Sequence, residues 1–501
     1  MQSTPIRLHY FFFLCFSLIL NYNGFSQQVD HWKVERHRPQ FHFTPQKGWM
    51  NDPNGLIFHK GVYHIFYQYF PDGTQWGPCH WGHATSTDLL HWKHEDIALF
   101  PDSLGYIFSG SAVFDEKNSS GLGSVEHPPL VAIFTSHHMG KERDKHSMYE
   151  YQSLAYSVDD GKTWKKYEGN PVLNIEGSTD FRDPKVSWNS QTGKWIMVLA
   201  VKDHTEFYSS PDLKSWTKES EFGKGVGAHG GVWECPDLFP LVYNGKTVWV
   251  LMVSINPGAP NGGSSTQYFL GDFDGKQFKP QDQLVRWVDY GPDNYAGVTF
   301  FNTPGRQILL GWMSNWQYAQ TVPTGSWRSA MTLPRELSLR EVNNKLYMAS
   351  KPVKEYEAIL LGKRTVNIQK QASMPLENSL GVIEMNGQKD KDFSIELTNQ
   401  VNQKLIIGYE KDANRFFIDR TQSGKNSFDK NFSSRHYVKR ISDNEKISLT
   451  LVIDLTSVEL FADGGLSVMT EIFFPDLDMN TIKFVGIKAE KTVLTSLKQT
   501  L

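Results

Sequence analysis

Four times along the chain a short strand-like segment runs into a polar turn that closes on an aromatic residue. The segments are His83-Ala84-Thr85-Ser86 to Trp92, Leu154-Ala155-Tyr156-Ser157 to Trp164, Phe207-Tyr208-Ser209 to Trp216, and Tyr268-Phe269-Leu270 to Phe278. Strands broken this regularly, with no long apolar stretch of helical period between them, confine the chain to an all-β fold of repeated small sheets. Units of this length fit about five times between residues 30 and 350, which predicts a five-bladed β-propeller with four strands per blade. From residue 355 to 501 the texture changes to alternating strands such as Phe393-Ser394-Ile395-Glu396-Leu397. Another, Ser457-Val458-Glu459-Leu460-Phe461, leads into an Asp463-Gly464 hairpin, and the segment predicts a C-terminal β-sandwich. A chain of 501 residues has room for two or three domains and a large core.

In a propeller the inner strands converge on an axial funnel, so acids in separate blades can meet there. Three acid-bearing segments stand out. Trp49-Met50-Asn51-Asp52-Pro53-Asn54-Gly55 reads as a stiff turn, since Asn51 and Asn54 can bond their own backbone, Pro53 fixes φ and Gly55 tolerates positive φ. Phe181-Arg182-Asp183-Pro184-Lys185 and Val232-Trp233-Glu234-Cys235-Pro236-Asp237-Leu238-Phe239 each set an acid close to a proline among aromatics. Cleaving a glycoside needs carboxyls in divergent environments, one protonated to assist the leaving group and one ionised to attack the anomeric carbon. On neighbours alone, Asp52 suits the nucleophile, Glu234 among Trp and Phe suits the proton donor, and Asp183 beside Arg182 is expected to stay charged. Each segment taken singly reads equally as an Asx turn or a structural ion pair.

Composition narrows the class. The net charge of −3 and a pI near 6.6 give no basic surface for nucleic acid, so a nucleic-acid partner is not expected. The 15 Trp, 20 Tyr and 32 Phe suit a β-protein core first and sugar-stacking walls second. Residues 1–26 read as an export signal, with Arg7 and His9 ahead of the apolar stretch Tyr10 to Leu20 and cleavage after Ser26; Cys15 lacks the context of a lipid anchor. No stable membrane span is expected, and the mature chain is expected to be secreted or periplasmic. Cys79 and Cys235 remain after cleavage, with no spacing that demands a disulfide. The sequons at Asn118 and Asn431 matter only in a glycosylating host. His80 and His83 would sit on opposite faces of a strand, and they read, with His137 and His138, as structural or surface histidines rather than metal ligands.

Together the three acid segments closely resemble glycoside hydrolase family 32, the invertases, inulinases and levanases, whose Trp-Met-Asn-Asp-Pro-Asn-Gly, Arg-Asp-Pro and Glu-Cys-Pro motifs all stand here in order. The resemblance continues through His80-Trp81-Gly82-His83-Ala84, Phe108-Ser109-Gly110-Ser111, Leu310-Gly311-Trp312-Met313 and Leu333-Pro334-Arg335-Glu336-Leu337. It implies Asp52 as nucleophile, Glu234 as general acid/base and Asp183 as transition-state stabiliser. It also implies a fructosyl pocket built from Trp49, Asn51, Gln68, Trp76, Phe108, Ser109, Arg182 and Trp312. The implied chemistry is retaining double displacement at the fructosyl C2 with no metal and no cofactor, for which the Asp52 and Glu234 carboxyls should stand about 5 to 5.5 Å apart. The implied partner is a fructose-containing oligo- or polysaccharide, with exo-acting fructan hydrolysis favoured and levan slightly ahead of inulin. Transfer to a sugar acceptor, endo cleavage and a non-catalytic fructan binder stay open. Two departures stand out: Cys79, expected to alter the pocket rim, and Asn294 in Asp289-Tyr290-Gly291-Pro292-Asp293-Asn294-Tyr295-Ala296, where the family usually carries Phe. Ser157-Val158-Asp159-Asp160-Gly161-Lys162-Thr163-Trp164 matches a sialidase Asp-box, but one box is a hairpin stabiliser and no other sialidase signature accompanies it.

Overall fold

The computed structural model describes Met1, residues 31–487 and residues 489–501, with the backbone alone at 489 and 490. Apart from Met1, the leader expected over 1–26 and its cleavage at Ser26 lie outside the described residues. Among the described residues no helix is long and apolar enough to cross a membrane.

Five antiparallel sheets of four consecutive main strands follow one another. Their first strands are Gly48–His59, Tyr106–Phe114, Phe181–Asn189, Val232–Tyr243 and Tyr295–Thr299. Each first strand packs against the next one round, and the fifth packs back on the first, which closes a five-bladed ring. The ring is tied shut where Phe58 N–H donates to Phe301 O at 3.0 Å and Phe301 N–H donates to Leu56 O at 2.8 Å. Trp327–Arg328, inserted within blade V, also pairs in parallel with Gly48 and Trp49.

The repeat seen in sequence is the outer hairpin of blades I to IV, and local chemistry explains it. In blade I the Asp88 carboxylate accepts the N–H groups of Leu90 and His91, and Trp92 Nε1 donates to Leu89 O at 3.0 Å. Blade III repeats this with Asp212, Lys214, Ser215 and a Trp216 Nε1 bond to Leu213 O at 3.0 Å. Blade II does the same with Asp159 and a Trp164 bond to Gly161 O, so the Asp-box is this hairpin stabiliser. The aspartate caps the turn as an Asx motif while the indole N–H pins its far side. Blade IV keeps Asp274 but closes on Phe278.

The three acid segments are strands, not turns. Asp52 lies within Gly48–His59, Asp183 within Phe181–Asn189 and Glu234 within Val232–Tyr243. Prolines 53, 184 and 236 cannot donate to a ladder, and each falls at a break in pairing register or just beside one. The other two first strands break register as well, between Ile107 and Gly110 and between Tyr295 and Val298. Asp183, Cys235 and Ala296 take positive φ of 65°, 46° and 52° within these bulges, which re-aim side chains into the axial funnel.

After residue 352 the chain builds two six-stranded sheets around an apolar core that includes Ile383, Leu451, Ile395 and Phe416. The seam with the propeller is buried and ionic. Arg335, fully buried, donates to Asp289 at 2.8 Å on the propeller side and to Glu459 Oε2 at 3.1 Å on the sandwich side. Arg420 in the sandwich reaches Asp293 at 2.7 Å and Tyr318 OH at 2.9 Å. Asn294, the departure noted in sequence, donates to Asp289 Oδ2 at 3.2 Å and so belongs to this seam. His42 bridges Asp454 at 2.7 Å and Glu459 at 2.8 Å.

Removing one member of a buried ionic cluster strands the others, so Arg335→Ala should cost about 3–5 kcal/mol, read from urea unfolding of the whole chain. Burial lowers the His42 pKa, but the hydrogen bonds and charges of Asp454 and Glu459 outweigh it and raise the group from 6.5 to about 9. Because the folded value is the higher one, His42 protonation stabilises the fold fully below pH 6.5, and that contribution is lost as pH rises through about 9. His42→Gln should therefore flatten the fall in unfolding free energy across that window.

Candidate active site

At the bulged end of the axis, a cavity of about 370 Å³ is lined by Asn51, Asp52, Gln68, Trp76, Phe108, Ser109, Arg182, Asp183 and Glu234, together with His137, Glu142, Glu150, Asp180, Trp316 and Gln320. Nine of the eleven residues singled out in sequence thus meet in one cup. Trp49 and Trp312 do not line it. Both are fully buried behind its wall, where Trp312 packs 4.9 Å from the Trp316 ring and Trp49 Nε1 donates to Asn51 Oδ1 at 2.7 Å. Cys79 is likewise buried beneath the cup instead of at its rim, with its backbone carbonyl accepting from Ile107 N–H.

Asp52 is held from both sides. Ser109 Oγ donates to its Oδ2 at 2.7 Å and Asn51 Nδ2 to its Oδ1 at 3.0 Å, so the relay Trp49–Asn51–Asp52 fixes the carboxylate plane. Burial raises its pKa and the Glu234 charge adds to that, while Ser109, Asn51 and Cys235 pull it back down. Asp183 Oδ2 accepts the Cys235 N–H at 2.9 Å, and Thr135 Oγ1 accepts the Asp183 N–H at 3.0 Å. The Cys235 thiol lies 3.5 Å from Asp52 and 3.7 Å from Asp183, so this one residue bridges two acids. Neither Cys235 nor Cys79 is in a disulfide.

Two inferences from chain neighbours fail. Arg182 and Asp183 both line the cup, but the guanidinium pairs with Glu234 at 3.2 Å, Glu150 at 3.3 Å and Asp180 at 2.8 Å. Asp183 departs from an ordinary carboxylate chiefly because it is buried. Burial lifts its pKa, Arg182 opposes that, and the Glu234 and Asp52 charges lift it further, with a net rise. Trp233 likewise turns away from Glu234 into the apolar cluster around Phe269, donating Nε1 to Ala228 O. Glu234 instead accepts from Arg182 on Oε1 and from the buried Tyr295 hydroxyl on Oε2.

Sequence reasoning missed Glu150, Tyr295, His137 and Trp316. Burial would raise Glu150, but Arg182, His137 and the Phe181 N–H outweigh it and hold the carboxylate below its usual range. His137, read in sequence as structural or surface, stacks on Phe108 at 4.1 Å and bonds Glu150 at 3.1 Å, so it sets the wall. His83 bonds His64 at 3.1 Å on one strand face, while the His80 ring meets Phe100 at 5.3 Å, so the two rings are apart. Among the described residues the donors of His204, Glu206 and Glu221 lie within 4.8 Å of one another. Lys218 already pairs with Glu206 there and stands 3.5 Å from Glu221, which supplies a cation from the chain itself.

A cup with three crowded carboxyls, an arginine and aromatic walls suits the splitting of a glycosidic bond. The comparisons agree. Residues 42–350 match the glycosyl hydrolases family 32 N-terminal domain and residues 349–500 the family's C-terminal domain. The chain is 43% identical to a levanase of Bacillus subtilis over 93% of this chain and 71% of that protein. It is 38% identical to the extracellular exo-inulinase inuE of Aspergillus niger over 88% of this chain and 90% of that one. The solved exo-inulinase of Aspergillus awamori superposes with a TM-score of 0.86 at 34% identity, covering 94% of this chain and all of that one. The β-fructofuranosidase of Schwanniomyces occidentalis, complexed with fructosyl-erythritol, gives 0.85 at 33% identity over 93% of this chain and 99% of that one. Propeller, sandwich, acid cup and sequence likeness across both domains converge, and the chain belongs to glycosyl hydrolase family 32.

Proposed function

We propose that the chain is a secreted, retaining β-fructofuranosidase that releases terminal fructose from fructans, levan and inulin ahead of sucrose. The observation that carries this is the convergence of Asp52, Asp183 and Glu234 in one cup, linked through Cys235 and Arg182. Relatives named levanase and extracellular exo-inulinase support the polymer and the outside of the cell. The proposed limits are a leader over 1–26 cleaved after Ser26, a propeller over 30–350 and a sandwich over 355–501.

In the proposed mechanism Glu234 protonates the bridging oxygen while Asp52 attacks C2, forming a fructosyl ester. Water deprotonated by Glu234 then cleaves that ester and restores both acids. Asn51 and Ser109 hold Asp52 in line, and Asp183 binds sugar hydroxyls through both oxocarbenium-like transition states. A raised Asp183 pKa fits a carboxyl that can donate as well as accept such bonds. Gln68 Nε2, buried without a protein partner, supplies a further donor toward the sugar. Trp76 and Phe108 form the aromatic wall, their rings 6.2 Å apart.

Product analysis on levan, inulin and sucrose tests the reading. Fructose alone should appear, with its β-anomer first by NMR, and Asp52→Ala should lower kcat by about 10⁴-fold or more. Oligosaccharide products would assign transfer or endo cleavage instead, and no product at all would make the chain a binder. A second test uses pH. The nucleophile works ionised, and its pKa is raised above the ordinary 3.8, so kcat/KM should fall with acid at a pH above that value. Ser109→Ala removes a bond that lowers the Asp52 pKa, so it should move the acid limb to still higher pH.

A further inference from the structure

A second cavity, of about 660 Å³, opens at the opposite ends of the first strands of blades III, IV and V. Trp188 lies on its wall five residues along the strand from Asp183, about 17 Å away at the usual strand rise. We propose that this cavity is a second fructan-binding site, which holds a stretch of the polymer while a chain end occupies the acid cup; the proposal rests on the fructan reading above.

The lining joins an aromatic face to amide and hydroxyl groups, with Lys185, Asp237 and Asp272 as its charged members. The Trp188 side chain is left 38% exposed; Trp195 meets it edge-on at 5.1 Å, which sets the attitude of the indole, and the exposed Lys117 Nζ lies 5.7 Å over the ring, where a sugar face would displace it. Flat C–H faces of sugar rings stack on such a surface. Around it Gln191 and Gln307 bring amide groups that donate and accept at once, which matches vicinal hydroxyls, while Asn302 Nδ2 donates to Phe58 O at 3.2 Å. At the floor, Asp237 is 1% exposed. Its Oδ2 takes the Thr299 hydroxyl at 2.8 Å and pairs with Lys185 at 3.1 Å, while its Oδ1 is buried without a protein partner. The Lys185 and Asp237 charges offset each other and Asp272 adds a carboxylate to the lining, so the cavity disfavours an anion and admits a neutral hydroxylated ligand. A polymer of fructose is such a ligand. Engaging it twice raises the local concentration of chain ends at the cup without any new contact there.

The experiment runs the full chain carrying Asp52→Ala through native gels cast with soluble levan or inulin, with dextran as control. We expect retardation by fructan, an apparent affinity about tenfold weaker with Trp188→Ala, and weakening in the same direction with Gln191→Ala, an exposed residue whose loss leaves the Trp188–Trp195 packing alone. In the active background both variants should hydrolyse sucrose with unchanged kcat/KM and show a raised KM on polymer. Retardation that neither substitution weakens, or a polymer KM that does not move, overturns the proposal. Failure of the unaltered chain to release fructose from sucrose, inulin and levan alike would overturn the reading of the acid cup instead.

Discussion

Five register breaks at one level of the propeller axis govern the rest of this molecule. A regular strand sends alternate side chains to opposite faces, so an unbroken ladder would give each blade one fixed inward set. The bulges at Asn51-Asp52, Phe108-Ser109, Asp183-Pro184, Cys235-Pro236 and Ala296-Gly297 re-aim that set at one height. Three carboxyls in one partly dry cup repel each other, and positive φ at Asp183, Cys235 and Ala296 adds strain of the order of 1 kcal/mol per residue. Neither persists unless the scaffold over-determines it. The scaffold here is a closed ring whose inner strands each lean on two neighbours.

Much of this was legible in sequence, because it rests on local chemistry. An Asx turn followed by an indole that pins it is written within seven residues, so blades I to III announce themselves through Asp88, Asp159 and Asp212. Blade V was silent because its outer hairpin turns on Asn343-Asn344, both at positive φ, and needs no closing aromatic. The acids were legible too, though not their surroundings. Trp233 turns out of the cup and so said nothing about Glu234, while Arg182, which lines the cup beside Asp183, pairs with Glu234 and Glu150. Prolines beside acids signalled a ladder break, and a break inside a strand is a bulge as readily as a turn.

What sequence could not supply is contact across blades. Glu150 comes from the third strand of blade II and Tyr295 from the first of blade V, yet both grip groups on Glu234 or its arginine. Nothing in the segment of Glu150 marks it as part of the cup, and Tyr295 sits in the Asp289–Ala296 stretch, where only Asn294 stood out. Their role follows only from the packing of successive blades, which sets blade II against blade III and blade IV against blade V.

The same geometry gives the sandwich a share in the chemistry. Three consecutive residues face three ways: Asp293 accepts from Arg420 in the sandwich, Asn294 donates to Asp289 within the seam, and Tyr295 donates to Glu234. Asp289 in turn is fixed by Arg335 and by the Thr470 backbone and hydroxyl. A shift of the sandwich relative to blade V would therefore move the partner of the proposed proton donor. The loop residues Asp293 and Asn294, running into the strand that starts at Tyr295, make one short segment a lever between a buried ionic seam and the acid cup, so the second domain acts as part of the mould in which the site is cast.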